Sequence, residues 1–226
     1  MMRARQAAGG GRVVEVEAAR LPGWLTRFAD RHRGIAAAER GVATITVIGG
    51  DGATADLAIP FPPLARATEV EPIAALLTHI AQMGDVAMIL VRERAFSIGV
   101  CRAGSVLTSS TDTRYVQSRT AAGGWSQQRY ARRRGNQRRD SFRAAADAAV
   151  RVLSAHHGTF AGLVVGGDTT AMHAVLDDPR LAHLTDLPRR TFTDIAEPRR
   201  AVLDDVARRC LAVEITVRDA DATSGT

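Results

Sequence analysis

"DVAMILVRERAFSIGVCRAGSVLTSSTDTRYVQSRT", residues 85–120, decides how the rest of the chain is read. Three apolar or β-branched runs are separated by Arg92-Glu93-Arg94 and Arg102-Ala103-Gly104. The spacing predicts strands near 86–92, 94–102 and 105–112. The linking turns are so short that the strands must run antiparallel, as a meander. Downstream the hydrophobic period changes. A glycine loop at 122–124 precedes a long helix, roughly 128–156, whose apolar face uses Phe142, Ala145, Ala146, Ala149, Val150 and Leu153. A buried strand (158–168), a helix (169–181), a short strand within 190–198, a helix (199–211) and an alternating strand (212–220) complete the pattern.

A meander followed by helix, strand, helix and strand implies an α/β domain with a mixed β-sheet, in the order of a ribonuclease-H-like fold. Upstream, residues 23–34 carry Trp24, Leu25 and Phe28 at helical spacing. Residues 42–50 and 51–60 read as a hairpin across a Gly-Asp-Gly turn. "FPPLARAT" (61–68) is a connector. Residues 71–84 form a helix, with Pro72 suited to its first turn and Gly84 to its end. The expected organisation is an N-terminal α+β extension (1–84), a main domain (85–220) and a flexible tail (221–226). The first ten residues are expected to be a mobile tail as well.

Hydrophobic residues make up 46% of the 226, enough for a real core, and no apolar run approaches the length of a membrane span. The N-terminus lacks the apolar stretch of a secretory signal, so a cytoplasmic protein is expected. Cys101 and Cys210 stand far apart, in no CxxC pair, and are read as half-buried thiols in a reducing compartment. The net charge is +6 and every basic side chain is arginine. Arg119, Arg129, Arg132, Arg133, Arg134, Arg138, Arg139 and Arg143 fall in one stretch opposed only by Asp140. Such a local block is the usual footprint of a nucleic-acid backbone.

Several chemistries find little support. A two-metal nuclease needs clustered carboxylates. The first meander strand has an acid only at its edge, Asp85, and Asp112 and Asp168 sit at loop edges. "VVGGD" (164–168) lacks a phosphate-loop pattern and reads as a strand-to-helix turn, with Asp168 or Thr169 as the N-cap. His156-His157 has no third ligand at sensible spacing and suits a helix C-terminus. His79 and His173 read as ordinary helix residues. No GxSxG elbow or Cys-His pair supports a nucleophilic enzyme.

What remains is "AAGGWSQQRYARRRGNQRRDSFR", residues 121–143. Gly124-Trp125-Ser126-Gln127 forms a GxxQ motif in a basic setting, placed between a meander and a long helix. In that placement, "GGWSQQRYARRRGNQRR" resembles the Vms-like release factor family, in its actinobacterial form. That family is related to the middle domain of the eukaryotic class-one release factor. The likeness covers about residues 85–220 and implies a release-factor middle-domain-like fold. It also implies peptidyl-tRNA hydrolysis on the large ribosomal subunit, without a cofactor or metal, by a monomer. Release factors use a GGQ tripeptide; here the glutamine lies one residue further from the glycine that opens the motif. The zinc finger, ankyrin repeats and partner-binding helix of the eukaryotic relatives have no counterpart in the sequence.

The resemblance implies a catalytic tip of Gln127, Gly124, Ser126 and Gly123. The RNA-binding set it implies is Trp125, Gln128, Arg129, Tyr130, Arg132, Arg133, Arg134, Asn136, Arg138 and Arg139. The chemistry is coherent. The tRNA ester is already activated, so a positioned water and donors aimed at the oxyanion suffice. Glutamine offers both donor and acceptor without titrating, and glycines allow close approach to RNA. Arginines can fork onto phosphates while Trp125 or Tyr130 stacks on a base. Two alternatives stand beside it: a non-catalytic ribosomal-RNA-binding module using the same basic helix, and a metal-dependent nuclease.

Overall fold

The computed structural model describes residues 4–7, 10–64, 71–113 and 125–220, with 125–131, 133 and 134 placed by their helical backbone. The connector beyond Leu64, the glycine loop at 122–124 and the tail at 221–226 lie outside the described residues. The described chain forms two compact units. One comprises residues up to Met83 together with those from Arg208 onward; the other comprises Gly84–Ala207.

The first unit is built on a six-stranded antiparallel sheet. Its strands are β1 (Ala4–Gln6), β2 (Arg12–Val16), β3 (Ile35–Arg40), β4 (Thr44–Gly49), β5 (Thr54–Ala58) and β11 (Val213–Arg218), in the order β1-β2-β11-β5-β4-β3. The expected hairpin is β4–β5, paired Thr44↔Ala58 through Ile48↔Thr54. Two findings differ from the sequence reading. The opening residues are not simply a tail, because Ala4–Gln6 pair antiparallel with β2. The final strand, expected with residues 85–220, instead lies between β2 and β5. Helix α1 (Leu21–Arg31) buries Leu21, Trp24, Leu25 and Phe28, with Trp24 and Phe28 stacked at 5.6 Å. Helix α2 (Pro72–Ala81) opens on Glu71, whose carboxylate accepts from the Ala74 N–H at 3.0 Å. His79 donates to the Pro60 carbonyl at 2.8 Å, which pins α2 to the connector.

The second unit carries the mixed α/β fold expected from the meander. Strands β6 (Asp85–Val91), β7 (Ala95–Arg102) and β8 (Ser105–Thr113) are antiparallel neighbours. Strand β9 (Phe160–Gly167) runs parallel to β6, and β10 (Arg189–Phe192) parallel to β9, giving the order β10-β9-β6-β7-β8. β6 is buried at every position and β7 at all but its last. Continuous apolar runs are what strands covered on both faces require. One face carries α3 (Trp125–Ser154) and α4 (Thr169–Leu176). There Phe142, Ala145, Ala149 and Val152 pack against Ala87, Ile89, Ile98 and Leu163. The alanines let the long helix lie close to the sheet. On the other face α5 (Arg200–Arg209) packs so tightly that a Cβ at Gly99 would meet Leu203 at 3.0 Å and the Thr108 carbonyl at 2.9 Å. The Cys101 and Cys210 thiols are fully buried, more so than the sequence suggests. Among the described residues, no helix is long and apolar enough to cross a membrane.

Candidate functional site

Helix α3 has 30 residues and starts at Trp125, three positions before the expected boundary. Nothing after Gly124 stops a helix: Trp-Ser-Gln-Gln-Arg-Tyr-Ala-Arg-Arg-Arg has no proline, glycine or β-branched residue. Ser126, Gln127 and Gln128 therefore lie in the first helical turn rather than in a loop. The first backbone N–H groups of a helix have no intrahelical acceptor, and the aligned peptide dipoles make that end positive. Gln127 is thus held by regular backbone beside a set of donors. Gly123 and Gly124 lie outside the described residues. Trp125, Arg129, Tyr130, Arg133 and Arg134 are placed by backbone on the same helix.

Among the described side chains of α3, the first that is buried is Ser141. Between Trp125 and that point run 16 residues, about 24 Å of helix at 1.5 Å per residue. In this stretch Arg132, Asn136, Arg138, Arg139 and Asp140 are exposed, while Gly135 and Gln137 are half-buried. Arg132, Asn136, Arg139 and Arg143 recur at helical spacing and are all exposed. They lie on a different face from the row Phe142, Ala145 and Ala149 that packs on the sheet. The result is an arm with a stripe of positive charge on its outer face. Within the stripe, Arg139 donates to Asn136 Oδ1 at 2.5 Å, which orients both side chains.

The arm leaves the sheet at the C-terminal ends of β6 and β9. There the turn between β6 and β7 is held by Asp168. Its carboxylate accepts from Arg92 Nε at 3.1 Å and from the Glu93 backbone N–H at 3.1 Å. Asp168 occupies the cap position of α4 but makes no side-chain cap. Its carboxylate is committed to the neighbouring turn instead. Gly167, with φ +110°, lies so close to Val91 that an added Cβ would sit 2.0 Å from its carbonyl oxygen. "VVGGD" is therefore a tight strand-to-helix turn. The Glu93 side chain in turn accepts from Arg138 Nε at 3.1 Å.

The far end of α3 is anchored differently. Asp85, an edge acid by sequence, is buried. Arg102 donates to it twice, at 2.5 and 2.7 Å, and His156 Nε2 lies 2.9 Å from its second oxygen. The Arg102 guanidinium holds the Asp85 carboxyl below the usual carboxylate range against its desolvation, and His156 lowers it further. His156 also stacks on Phe160 at 4.9 Å, while His157 is exposed. The sequence hid this cluster because its members are far apart along the chain. The one available signal was an aspartate leading an otherwise apolar strand. Asp112 lies near the end of β8, whereas Asp168 follows β9 at the start of α4, with β6 and β7 between the two strands. Among the described residues, no three His, Cys, Asp or Glu side chains are grouped to hold a metal.

Residues 84–216, which include the arm, its root and its anchor, match the sequence model of the Actinobacteria/chloroflexi VLRF1 release factor. The chain belongs to that family. Its role accordingly lies in translation termination or rescue. No curated protein matches the chain. Among solved structures, it is similar to a Vms1 mitochondrial localization core at 12% identity and a TM-score of 0.45, over 78% of this chain and 76% of that one. It is similar to the archaeal translation termination factor aRF1 at 13% identity and a TM-score of 0.36, over 88% and 66% of the two chains. Likeness to Archaeoglobus fulgidus Pelota is 12% identity with a TM-score of 0.32, over 93% and 66%.

Proposed function

We propose that this release-factor chain hydrolyses peptidyl-tRNA on the large ribosomal subunit, with the GxxQ segment Gly124–Gln127 as its reactive tip. The observation that carries the reading is the placement of Gln127. It sits in the first turn of a helix whose first buried side chain, among those described, is Ser141, and whose Arg132, Arg138 and Arg139 are exposed. An arm of this kind can reach a substrate enclosed in RNA while the domain stays outside. Family membership and the local charge support the same reading.

The substrate ester needs no protein nucleophile. Gln127 would hold the attacking water through its amide oxygen, or donate through its amide nitrogen to the developing oxyanion. The open N–H groups of the first turn add donors, and the positive end of the helix favours the negative transition state. Proton removal falls to the RNA, through a group such as a tRNA 2′-OH. Gly123 and Gly124 supply a backbone without side chains next to the reacting ester, and Ser126 lies beside Gln127 in the same turn. Arg129, Arg132, Arg133, Arg134, Asn136 and Arg139 approach ribosomal-RNA phosphates. Gln128 offers a further amide, and Trp125 or Tyr130 stacks on a base. The protein acts as a cytoplasmic monomer.

The test is peptide release from stalled large-subunit–peptidyl-tRNA complexes. Wild type should release peptide, and Gln127→Ala should lose about 100-fold or more of that rate, as for removal of an oxyanion donor, while still binding the complex. Full activity in Gln127→Ala would sink the assignment of the glutamine. Binding by wild type without release would favour the non-catalytic RNA-binding alternative. RNA cleavage that stops on chelation would favour the nuclease.

A further inference from the structure

Arg138 stands apart from the other arginines of the arm. Arg132, Asn136, Arg139 and Arg143 share the outer face. Arg138 instead continues the row Phe142, Ala145, Ala149 by one turn beyond the last buried contact. Its guanidinium is not turned outward: Nε and Nη2 both reach Glu93 Oε1, at 3.1 and 3.0 Å. Glu93 is itself firmly placed. Its backbone N–H is bound by Asp168, and the preceding residue Arg92 binds Asp168 through its side chain and the Ala95 carbonyl through its N–H at 2.8 Å. Asp168 is tied back to the sheet by its own N–H to the Val91 carbonyl at 3.0 Å. A chain of bonds thus runs from the sheet end through Asp168 and Glu93 to the root of the arm.

We propose that Glu93 is a positioning residue that fixes the direction of the α3 arm, and that Arg138 serves this brace rather than contacting RNA. The leverage is geometric. From Arg138 to Gln127 is 11 residues, about 16 Å of helix. A tilt of about 10° at the root moves the tip by about 3 Å, and misplacement of about 1 Å is enough to cost a reaction about 100-fold. An exposed ion pair changes overall stability little. At a hinge point, however, the same small bias selects which way the arm points. Release depends on that direction; folding does not.

The activity arm of the test rests on the peptidyl-tRNA hydrolysis reading; the structural arm does not. For the structural arm, nitroxide labels go on Arg132→Cys and Thr170→Cys, both at exposed positions, while the buried Cys101 and Cys210 are spared from labelling. The distance distribution should be narrow in the otherwise wild-type chain. It should broaden in Glu93→Gln and in Arg138→Gln, and be no broader in the double variant than in either single one. Unchanged widths in both single variants would overturn the brace. In the release assay, each single variant should lower kcat by up to about fivefold, the limit for an exposed pair, with KM within twofold and the melting temperature unchanged. The double variant should be no worse than either. If Arg138→Gln raises KM while Glu93→Gln does not, Arg138 is an RNA ligand and the proposal falls. If wild type releases no peptide, the hydrolysis reading fails, and the distance distributions alone judge the brace.

Discussion

The two halves of α3 share one helix and opposite fates. From Ser141 onward, Phe142, Ala145, Ala149 and Val152 disappear into the sheet. Before Ser141, no described side chain is buried, and arginine dominates. The buried half needs small apolar residues at helical spacing and tolerates no voids. The projecting half must be helical without help from a core, and its side chains are chosen for what lies outside the molecule. Stability is therefore concentrated in one half, and the proposed function puts the interaction with substrate in the other. Substitutions should separate accordingly.

The largest separation is expected between two residues only three positions apart. Phe142→Ala removes a buried ring and should cost about 3 kcal/mol in denaturant unfolding. Arg139→Ala should stay within about 0.5 kcal/mol of wild type. Equal costs would mean that the arm packs on something and is not an arm.

Next comes the anchor at the end of the buried half. The Asp85 carboxyl titrates below its ordinary 3.8, chiefly because of Arg102. A folded-state value lowered in this way stabilises the protein above about pH 4, and the contribution is lost as pH falls through the folded value. Asp85→Asn should destabilise by about 1–3 kcal/mol at neutral pH and flatten the acid limb of the stability profile. A variant that keeps the wild-type acid limb would show that another carboxylate governs it.

The outer stripe should behave in the reverse sense. Replacing Arg132, Arg139 and Arg143 by alanine should leave the melting curve in place. It should reduce the slope of log binding constant against log salt by about 2, if each lost phosphate contact is worth about 0.7. An unchanged slope would take the stripe out of the RNA interface. The smallest effect concerns Gly135, in the arm, where an added Cβ meets nothing within 4 Å. Gly135→Ala should firm the local helix by about 0.5–1 kcal/mol, read as slower amide exchange across residues 136–140, with no change in global unfolding.

The same contrast explains what the sequence made legible. β6, β7 and β9 could be read because strands buried on both faces are continuous apolar runs. The sheet-facing row of α3 could be read because its period is helical. β3 could not: "IAAAER" is an edge strand exposed at nearly every position, so it carries no alternation, and only its backbone pairing with β4 makes it a strand. β11 was recognisable as a strand, but no local pattern says which sheet it joins. At the site, the arginines and Gln127 were visible as composition and motif. The roles of Glu93, Asp168 and Asp85 were not, because each depends on a partner 17 to 76 residues away.

The position of β11 ties folding to the order of synthesis. Val213–Arg218 fill the gap between β2 and β5, so the last of this sheet's strands to be made joins the others, which are made first. Until then the emerging chain has a two-stranded ribbon, β1–β2, and a three-stranded one, β3–β4–β5, with no backbone bonds between them. Two-stranded ribbons are marginal on their own. The second unit, by contrast, is one continuous stretch, Gly84–Ala207, and can close as soon as it has emerged. The second unit is thus able to close before the first, whose sheet stays open until β11 has been made.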